Sequence, residues 1–428
     1  MKRDDKIVSL LGLSIWILAA VFFLYEFFLR TFVGSIAKDI IGDLHLSIEQ
    51  FALISAAYYF TYGLMQIPVG ILADKFGVKR IMIFAMLMCA LATFIFSRAV
   101  NFETALIGRL LMGFGSSFAF VCLLVIVSAW FPNRYFAFFV GASQFIGTMG
   151  PVLAGGPLLS LLANAHESWR VALSEIGMFG AVLAVIALVL VRSKPREAGA
   201  MHYVKRTEPF GVRIRRLFQN KQAWVVAAYS GTVYVSIALM AAAWGTDYLE
   251  SRGLPQTSAA YMISLSWIAY AIGCPLWGAI SDLTHRRKPY LILCALFGLV
   301  ATSLIVYVPF STVWSYSILF FLLGFGASGQ NLGFAAIGEH TDMDVRATAM
   351  GLNNGMIIMG GAVVPLLASL LIHASSQGQA DSLVAHDFTL GLSLMPLMYV
   401  ISLCLSFFWF KETYAKPQQE MIVLKLLH

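Results

Sequence analysis

Glu26 and Arg30 stand four residues apart, hence on one face if their segment is helical, in a stretch (7–37) otherwise uncharged as far as its end. Arg109 interrupts a second apolar stretch, 101–130, whose only other charge is Glu103 near its start. These residue types offer two kinds of chemistry. Burial disfavours a carboxylate's charge and a nearby arginine favours it, so a carboxyl held between the two can take up and release a proton. An arginine's planar fork binds a carboxylate through two hydrogen bonds. Two arginines against one glutamate leave the set at net +1, which suits an anionic or zwitterionic carboxylate. Glu26 is therefore assigned to carry a proton, Arg109 to tune it, and Arg30 to bind an anionic group. The competing reading is a permanent salt bridge that only aligns helices.

The elements that must position these residues follow from composition. Of 428 residues, 59% are hydrophobic and only 12% charged, about half the charge of a soluble domain. So few charges cannot cover a water-exposed surface. Charge-free runs such as 224–246, 289–310, 313–338 and 347–380 lack a two-residue period and exceed the roughly 10 residues of a barrel strand. In lipid the backbone must satisfy its own hydrogen bonds, so these runs read as helices. The expected class is an all-α integral membrane protein. Twelve spans are expected, near 7–37, 49–73, 80–97, 101–130, 136–162, 170–191, 222–249, 257–281, 289–308, 313–338, 347–373 and 388–410. The apolar stretch behind Lys2 and Arg3 is far longer than the 7–15 residues or so of a signal core. The first helix is expected to be retained.

Basic residues set the orientation. An even number of spans puts both termini on one side, and that side collects 23 of the 29 Lys and Arg residues. The other side holds only Lys38, Arg98, Arg170 and Arg252. The bias predicts cytoplasmic termini and a cytoplasmic 192–221 loop. The net charge of +7 is thus a topology signal and gives no reason to invoke nucleic acid. The basic loop is expected to meet anionic lipid headgroups. The five cysteines all lie in apolar segments without a Cys-x-x-Cys pair, which fits packing.

An internal repeat divides the chain. Gly70 and Asp74 recur as Gly278 and Asp282, 208 residues later, and Gly113-x-Gly115 recurs as Gly324-x-Gly326. Arg109 has Phe320 as its counterpart, so the repeat's architecture does not require the arginine. The expected organisation is a six-helix bundle over 1–191, a basic linker over 192–221 and a second six-helix bundle over 222–428. Duplication of this kind is typical of transporters, with the substrate site between the repeats.

The segment Gly70-x₃-Asp74-Lys75-x-Gly77-x-Lys79-Arg80 resembles the cytoplasmic-loop motif of the major facilitator superfamily at every specified position. Arg109-x₃-Gly113-x-Gly115 and Trp130-Phe131-Pro132 are also similar to that family. The copy at 278–288 is degraded, with Leu283 and His285 in place of a basic residue and a glycine. The resemblance implies two six-helix pseudo-repeats, secondary transport and a bacterial inner membrane. It also implies a conformational latch formed by Gly70, Asp74, Lys75, Gly77, Lys79 and Arg80, with Asp282 in the second copy. A buried carboxylate such as Asp74 suits a neighbouring helix N-terminus, where the dipole favours negative charge. The stretch Tyr25-Glu26-x₃-Arg30 resembles, over a short length, the first helix of nutrient-uptake carriers such as the phagosomal transporter family.

Polar residues on the first helix and on others expected to line the cavity complete the expected substrate site: Tyr25, Tyr62, Tyr234, Gln330, Asn331, Asn353 and Asn354. A deep amide needs a partner, whether helix or ligand. Tyr58, Tyr59, Gln66, Tyr229, Trp267 and Tyr270 are further candidates, and Glu175 is expected to pair with Arg170. Gly150-Pro151-x₃-Gly155-Gly156 is one residue longer than the fifth-span motif of proton-driven exporters, and close helix packing explains its glycines equally well. Glu339-His340-x-Asp342-x-Asp344 lies opposite Arg286 and Arg287, which suggests ion pairing between loops in place of a metal site. No Gly-x-Ser-x-Gly, His-Glu-x-x-His or P-loop occurs, so an enzyme is not expected. No cofactor or metal is expected, with the proton as coupling ion. The partners are a small-molecule substrate and lipid, and a monomer is expected. The reading reached is proton-coupled import of a small carboxylate-bearing metabolite. An exporter of drugs or secreted metabolites such as siderophores, and a transporter-like ligand sensor, are the alternatives.

Overall fold

The computed structural model describes residues 9–154, 168–192, 209–240, 244–310, 312–376 and 384–415. Among these residues the regular structure is entirely helical. The helices are α1 (Leu10–Ser35), α2 (Ala37–Leu44), α3 (Ile48–Phe76), α4 (Val78–Ser97), α5 (Phe102–Trp130), α6 (Phe136–Ala154) and α7 (Trp169–Leu190). They continue as α8 (Phe210–Gln219), α9 (Lys221–Leu239), α10 (Gly245–Ser251), α11 (Gln256–Thr284), α12 (Lys288–Tyr307) and α13 (Val313–Ala327). The last four are α14 (Gln330–Glu339), α15 (Arg346–Ser375), α16 (Ala385–Leu392) and α17 (Leu394–Cys404), followed by a π-helical turn over Leu405–Trp409.

Eleven helical stretches among the described residues are long and apolar enough to cross a bilayer. The remaining expected span, 49–73, lies in α3. Its 29 residues reach about 44 Å at the helical rise, ample for a bilayer. Tyr58, Tyr59, Tyr62 and Gln66 make it the least apolar of the set. Helix starts follow local chemistry: Ser9, Asn101 and Asn220 accept backbone N–H groups at the first turns of α1, α5 and α9. Ser47 and Gln50 cap α3 reciprocally.

Several expected spans are interrupted. The 313–338 span breaks at Ser328–Gly329, where the hydrogen bonds tighten to the i→i+3 pattern between α13 and α14. The seventh, expected as one helix over 222–249, is divided into α9 and α10, with 241–243 outside the described residues. The first span ends at Ser35, and the short α2 follows it. The linker residues 193–208, and Gly155 and Gly156 of the fifth-span motif, also lie outside the described residues. Gly150 sits against Leu24 and Phe28 of α1, a close packing of the kind those glycines suggest.

The chain forms two compact units. One comprises Met1–Pro132, Ser143–Arg213 and Asp344–Gly351, the other Asn133–Ala142, Ile214–Met343 and Leu352–His428. Each therefore includes a short piece from a distant part of the sequence. In the first unit, α5 packs against α1, α3 and α4, and α4 packs against α7. In the second, α13 packs against α11 and α12, and α9 against α14 and α17.

Candidate functional site

The site in the first unit is built on α1, α3 and α5. Helical spacing places Glu26 and Arg30 on one face of α1, and Arg30 donates through Nε (3.1 Å) and Nη2 to Glu26 Oε1. From α3, the Tyr58 hydroxyl lies 2.8 Å from the same Oε1 and 3.2 Å from the Glu26 carbonyl oxygen. Glu26 is wholly buried, yet its Oε2 has no hydrogen-bond partner among the described residues. The carboxylate thus has one crowded oxygen and one bare oxygen. Arg30 retains 11% of its side-chain exposure. Its guanidinium lies 4.3 Å from the Phe27 ring centre and 4.4 Å from that of Tyr62.

Arg109 takes a different place from the one expected. It is buried, but it does not pair with Glu26. Its Nη1 donates to the Leu29 carbonyl at 2.6 Å and its Nη2 to the Arg30 carbonyl at 3.4 Å. The guanidinium lies 4.7 Å from the centre of the Tyr58 ring. The three-way ion cluster is therefore a Glu26–Arg30 pair plus a clamp from α5 to the backbone of α1. Each α1 carbonyl keeps a spare lone pair inside its helix, which is what allows the clamp. In the second repeat the counterpart Phe320 is a buried core residue.

Tyr62 joins this site, stacked on Tyr58 at 6.0 Å and 13°. Tyr25 does not. Its hydroxyl meets Thr93 of α4 at 3.4 Å, and its ring packs edge-on against Phe179 and over Gly180 of α7. Being one position before Glu26, it points to a different face of α1. Arg170 pairs with Asp43 at 2.8 Å and with the Ser97 and Ala99 carbonyls, not with Glu175, which is exposed.

The second unit holds the expected polar residues of α9, α14 and α15. Gln330 donates to the Tyr270 hydroxyl, and the half-buried Tyr234 meets the Tyr270 ring edge-on at 6.2 Å. Asn331 and Asn353 are wholly buried, and neither side chain has a hydrogen-bond partner among the described residues. Asn354 is buried beside Asn353 in sequence. Two buried amides without partners are costly unless water or a ligand answers them.

The two motif aspartates make matching contacts, each within one compact unit. Asp74 accepts the backbone N–H groups of Ala347 (3.2 Å) and Thr348 (2.9 Å) and the Thr348 hydroxyl (2.7 Å). These are unpaired donors in the first turn of α15. Asp282 accepts the Phe138 N–H at the start of α6, 2.9 Å away. A Cβ at Gly70 would come within 2.5 Å of the Thr348 backbone, so only glycine permits this approach. Gly77 has φ of 84°, a left-handed conformation that turns the chain from α3 into α4. Lys75 and Arg80 are exposed and Lys79 is partly exposed.

The basic–acidic loop pairing of the second unit is buried rather than superficial. Arg287 donates to Asp282 Oδ1, Ser281 Oγ and Glu339 Oε1, each at 2.7 Å. Glu412 accepts the Arg287 and Lys288 N–H groups at the start of α12. His340 meets the Lys411 carbonyl at 3.0 Å, and its burial lowers its affinity for a proton. Among the described residues no cluster of three or more His, Cys, Asp or Glu could hold a metal.

The profile of the Major Facilitator Superfamily matches residues 15–333 and 233–420. The hexuronate transporter of Bacillus subtilis (strain 168) is 26% identical over 393 residues, covering 87% of this chain and 90% of the relative. The probable galactarate/D-glucarate transporter GarP of Escherichia coli (strain K12) is 25% identical over 385 residues, covering 80% and 84%. Among solved structures, the proton:xylose symporter XylE superposes with a TM-score of 0.74 at 13% identity, covering 98% of this chain and 100% of that one. With its multi-pass helical fold, its repeated loop motif and a profile match along nearly its whole length, this chain belongs to the Major Facilitator Superfamily and is a membrane transporter, not an enzyme.

Proposed function

We propose that this protein imports a small organic anion bearing a carboxylate, driven by the proton gradient, by alternating access in a bacterial inner membrane with both termini cytoplasmic. One observation carries the reading: Arg30 is held by a single oxygen of Glu26 while the other oxygen stays bare and buried. A proton arriving at Oε2 removes the charge that holds Arg30. The freed guanidinium then takes the substrate carboxylate in bidentate fashion. Loss of the proton on the other side restores Glu26 as the competitor, and the substrate leaves. Arg109 fixes α1 against α5 during this exchange.

The relatives named for hexuronate and for galactarate or D-glucarate support an organic-anion substrate. Within the first unit, Tyr62 adds aromatic surface beside Arg30. Within the second, Gln330, Asn331, Asn353 and Asn354 are buried amides, with Tyr234 against Tyr270. The contacts of Asp74 and Asp282 with the α15 and α6 N-termini act as the latches of the cycle, with Lys75, Lys79 and Arg80 beside the first. The working unit is a monomer in lipid, and its coupling ion is the proton.

The test is uptake of labelled hexuronate and hexarate into proteoliposomes under an imposed inward proton gradient. Accumulation that collapses with the gradient supports the reading. Gradient-driven extrusion, or binding without flux, overturns it in favour of an exporter or a sensor.

A further inference from the structure

Tyr58 donates to the same oxygen of Glu26 that Arg30 engages, while the other oxygen stays bare. Its hydroxyl faces two acceptors of the same residue, Oε1 at 2.8 Å and the backbone carbonyl at 3.2 Å. A phenol has one proton to donate. A charged carboxylate outcompetes a neutral carbonyl for it, because hydrogen bonds to ionised acceptors are the stronger kind. Once the carboxyl is neutral that advantage is gone, and the carbonyl, with its spare lone pair, accepts the same proton after a rotation of the hydroxyl alone. The ring has no such freedom. It is wholly buried, stacked on Tyr62 at 6.0 Å, with the Arg109 guanidinium 4.7 Å from its centre.

We infer that Tyr58 is a positioning residue for the proton step: a two-position donor that steadies the charged form of Glu26 and leaves Oε2 as the oxygen that receives the proton. This rests on the proton-carrying role proposed for Glu26. The titratable and charged groups around that carboxyl and its arginine are Arg30 from α1, Tyr58, Tyr59 and Tyr62 from α3, Cys89 from α4, and Arg109 from α5 across the Tyr58 ring. Of these, only Arg30 and Tyr58 hydrogen-bond the carboxylate. Tyr58 is therefore the one neutral group that steadies the carboxylate beside Arg30 while its charge is present.

The experiment compares wild type, Tyr58→Phe, and a variant with 3-fluorotyrosine at position 58, all in proteoliposomes loaded for uptake or for substrate exchange. Tyr58→Phe keeps the ring and its contacts and removes only the donor. Glu26 then holds its proton to higher pH. The midpoint of the uptake pH profile should move alkaline by about one unit, the size expected for losing one hydrogen bond to a charged group. Accumulation should fall about five- to tenfold, while exchange and KM stay within about twofold. The fluorinated residue is nearly isosteric but a stronger donor, and should move the midpoint the other way. Unmoved midpoints in both variants would overturn the inference, as would a loss of exchange in Tyr58→Phe that matches its loss of accumulation. Glu26→Gln separates this from the underlying reading. If Glu26→Gln keeps full accumulation, the coupling role itself falls. If it abolishes accumulation while both Tyr58 variants keep the wild-type midpoint, only the role of Tyr58 falls.

Discussion

Arg30 grips Glu26 by one carboxylate oxygen, Oε1, and leaves Oε2 buried and bare. A salt bridge meant only to align helices gains most when both oxygens are answered, since a buried charge needs all its lone pairs satisfied to offset desolvation. A buried, half-answered carboxylate beside a partly exposed arginine is better suited to exchange than to permanence.

Removing the arginine fork should therefore cost affinity for the anion. Arg30→Ala is expected to raise KM for a carboxylate substrate by about 50-fold or more, and Arg30→Lys by about tenfold, because the ammonium keeps the charge but loses the bidentate geometry. Transport of labelled substrate over a concentration series measures both. A KM within twofold of wild type in Arg30→Ala would show that the anion binds elsewhere.

Arg109 makes the opposite prediction. It donates to the Leu29 and Arg30 carbonyls, so its loss should appear mainly in stability. Arg109→Gln should lose about 1.5–3 kcal/mol, the worth of charged hydrogen bonds to buried acceptors, with KM within about threefold. Thermal unfolding in detergent, read beside transport, checks it. Unchanged stability with a large rise in KM would place Arg109 at the substrate instead.

Asp74→Asn keeps the size of the side chain but removes the charge facing the first turn of α15. If that contact is a latch remade in every cycle, turnover should fall about tenfold at nearly constant KM. Single-turnover and steady-state transport separate these. A purely structural contact would lower the yield of folded protein and leave the turnover of the remainder intact.

His340 is held neutral by burial, despite the acids Glu339 and Glu412 nearby. A histidine whose folded proton affinity is depressed contributes stability that is present above its unfolded pKa of about 6.5 and is lost as pH falls through the folded value. Acidification from about pH 7.5 to about 5.5, across the ordinary imidazole value, should therefore lower the melting temperature more in wild type than in His340→Gln. Equal losses in the two proteins would contradict this.

Much of this was readable in the residues themselves. The four-residue spacing of Glu26 and Arg30, the Gly70–Asp74 motif and its copy, and the opposition of Arg287 to Glu339 all depend on local spacing or on charge, and the structure contains each contact. What was not legible depends on partners with no mark in sequence. Arg109 reaches backbone carbonyls, which every residue has. Arg170 pairs with Asp43, 127 positions away, although Glu175 stood closer in the chain. Tyr58 shared its segment with Tyr59 and Tyr62, and only the packing of α3 against α1 singles it out. The break at Ser328–Gly329 sits in a run of small residues that a helix tolerates equally well. Tyr25 faces away from the Glu26 carboxylate for a geometric reason: adjacency in sequence means about 100° of separation around a helix.

The central claim is that the proton crosses on Glu26. The most direct measurement records proton and substrate entry together, with an internal pH dye and labelled substrate in the same proteoliposomes, for wild type and Glu26→Gln. Wild type should show substrate-dependent internal acidification, at about one proton per molecule. Glu26→Gln should show no acidification while substrate exchange continues. Undiminished acidification in Glu26→Gln would contradict it.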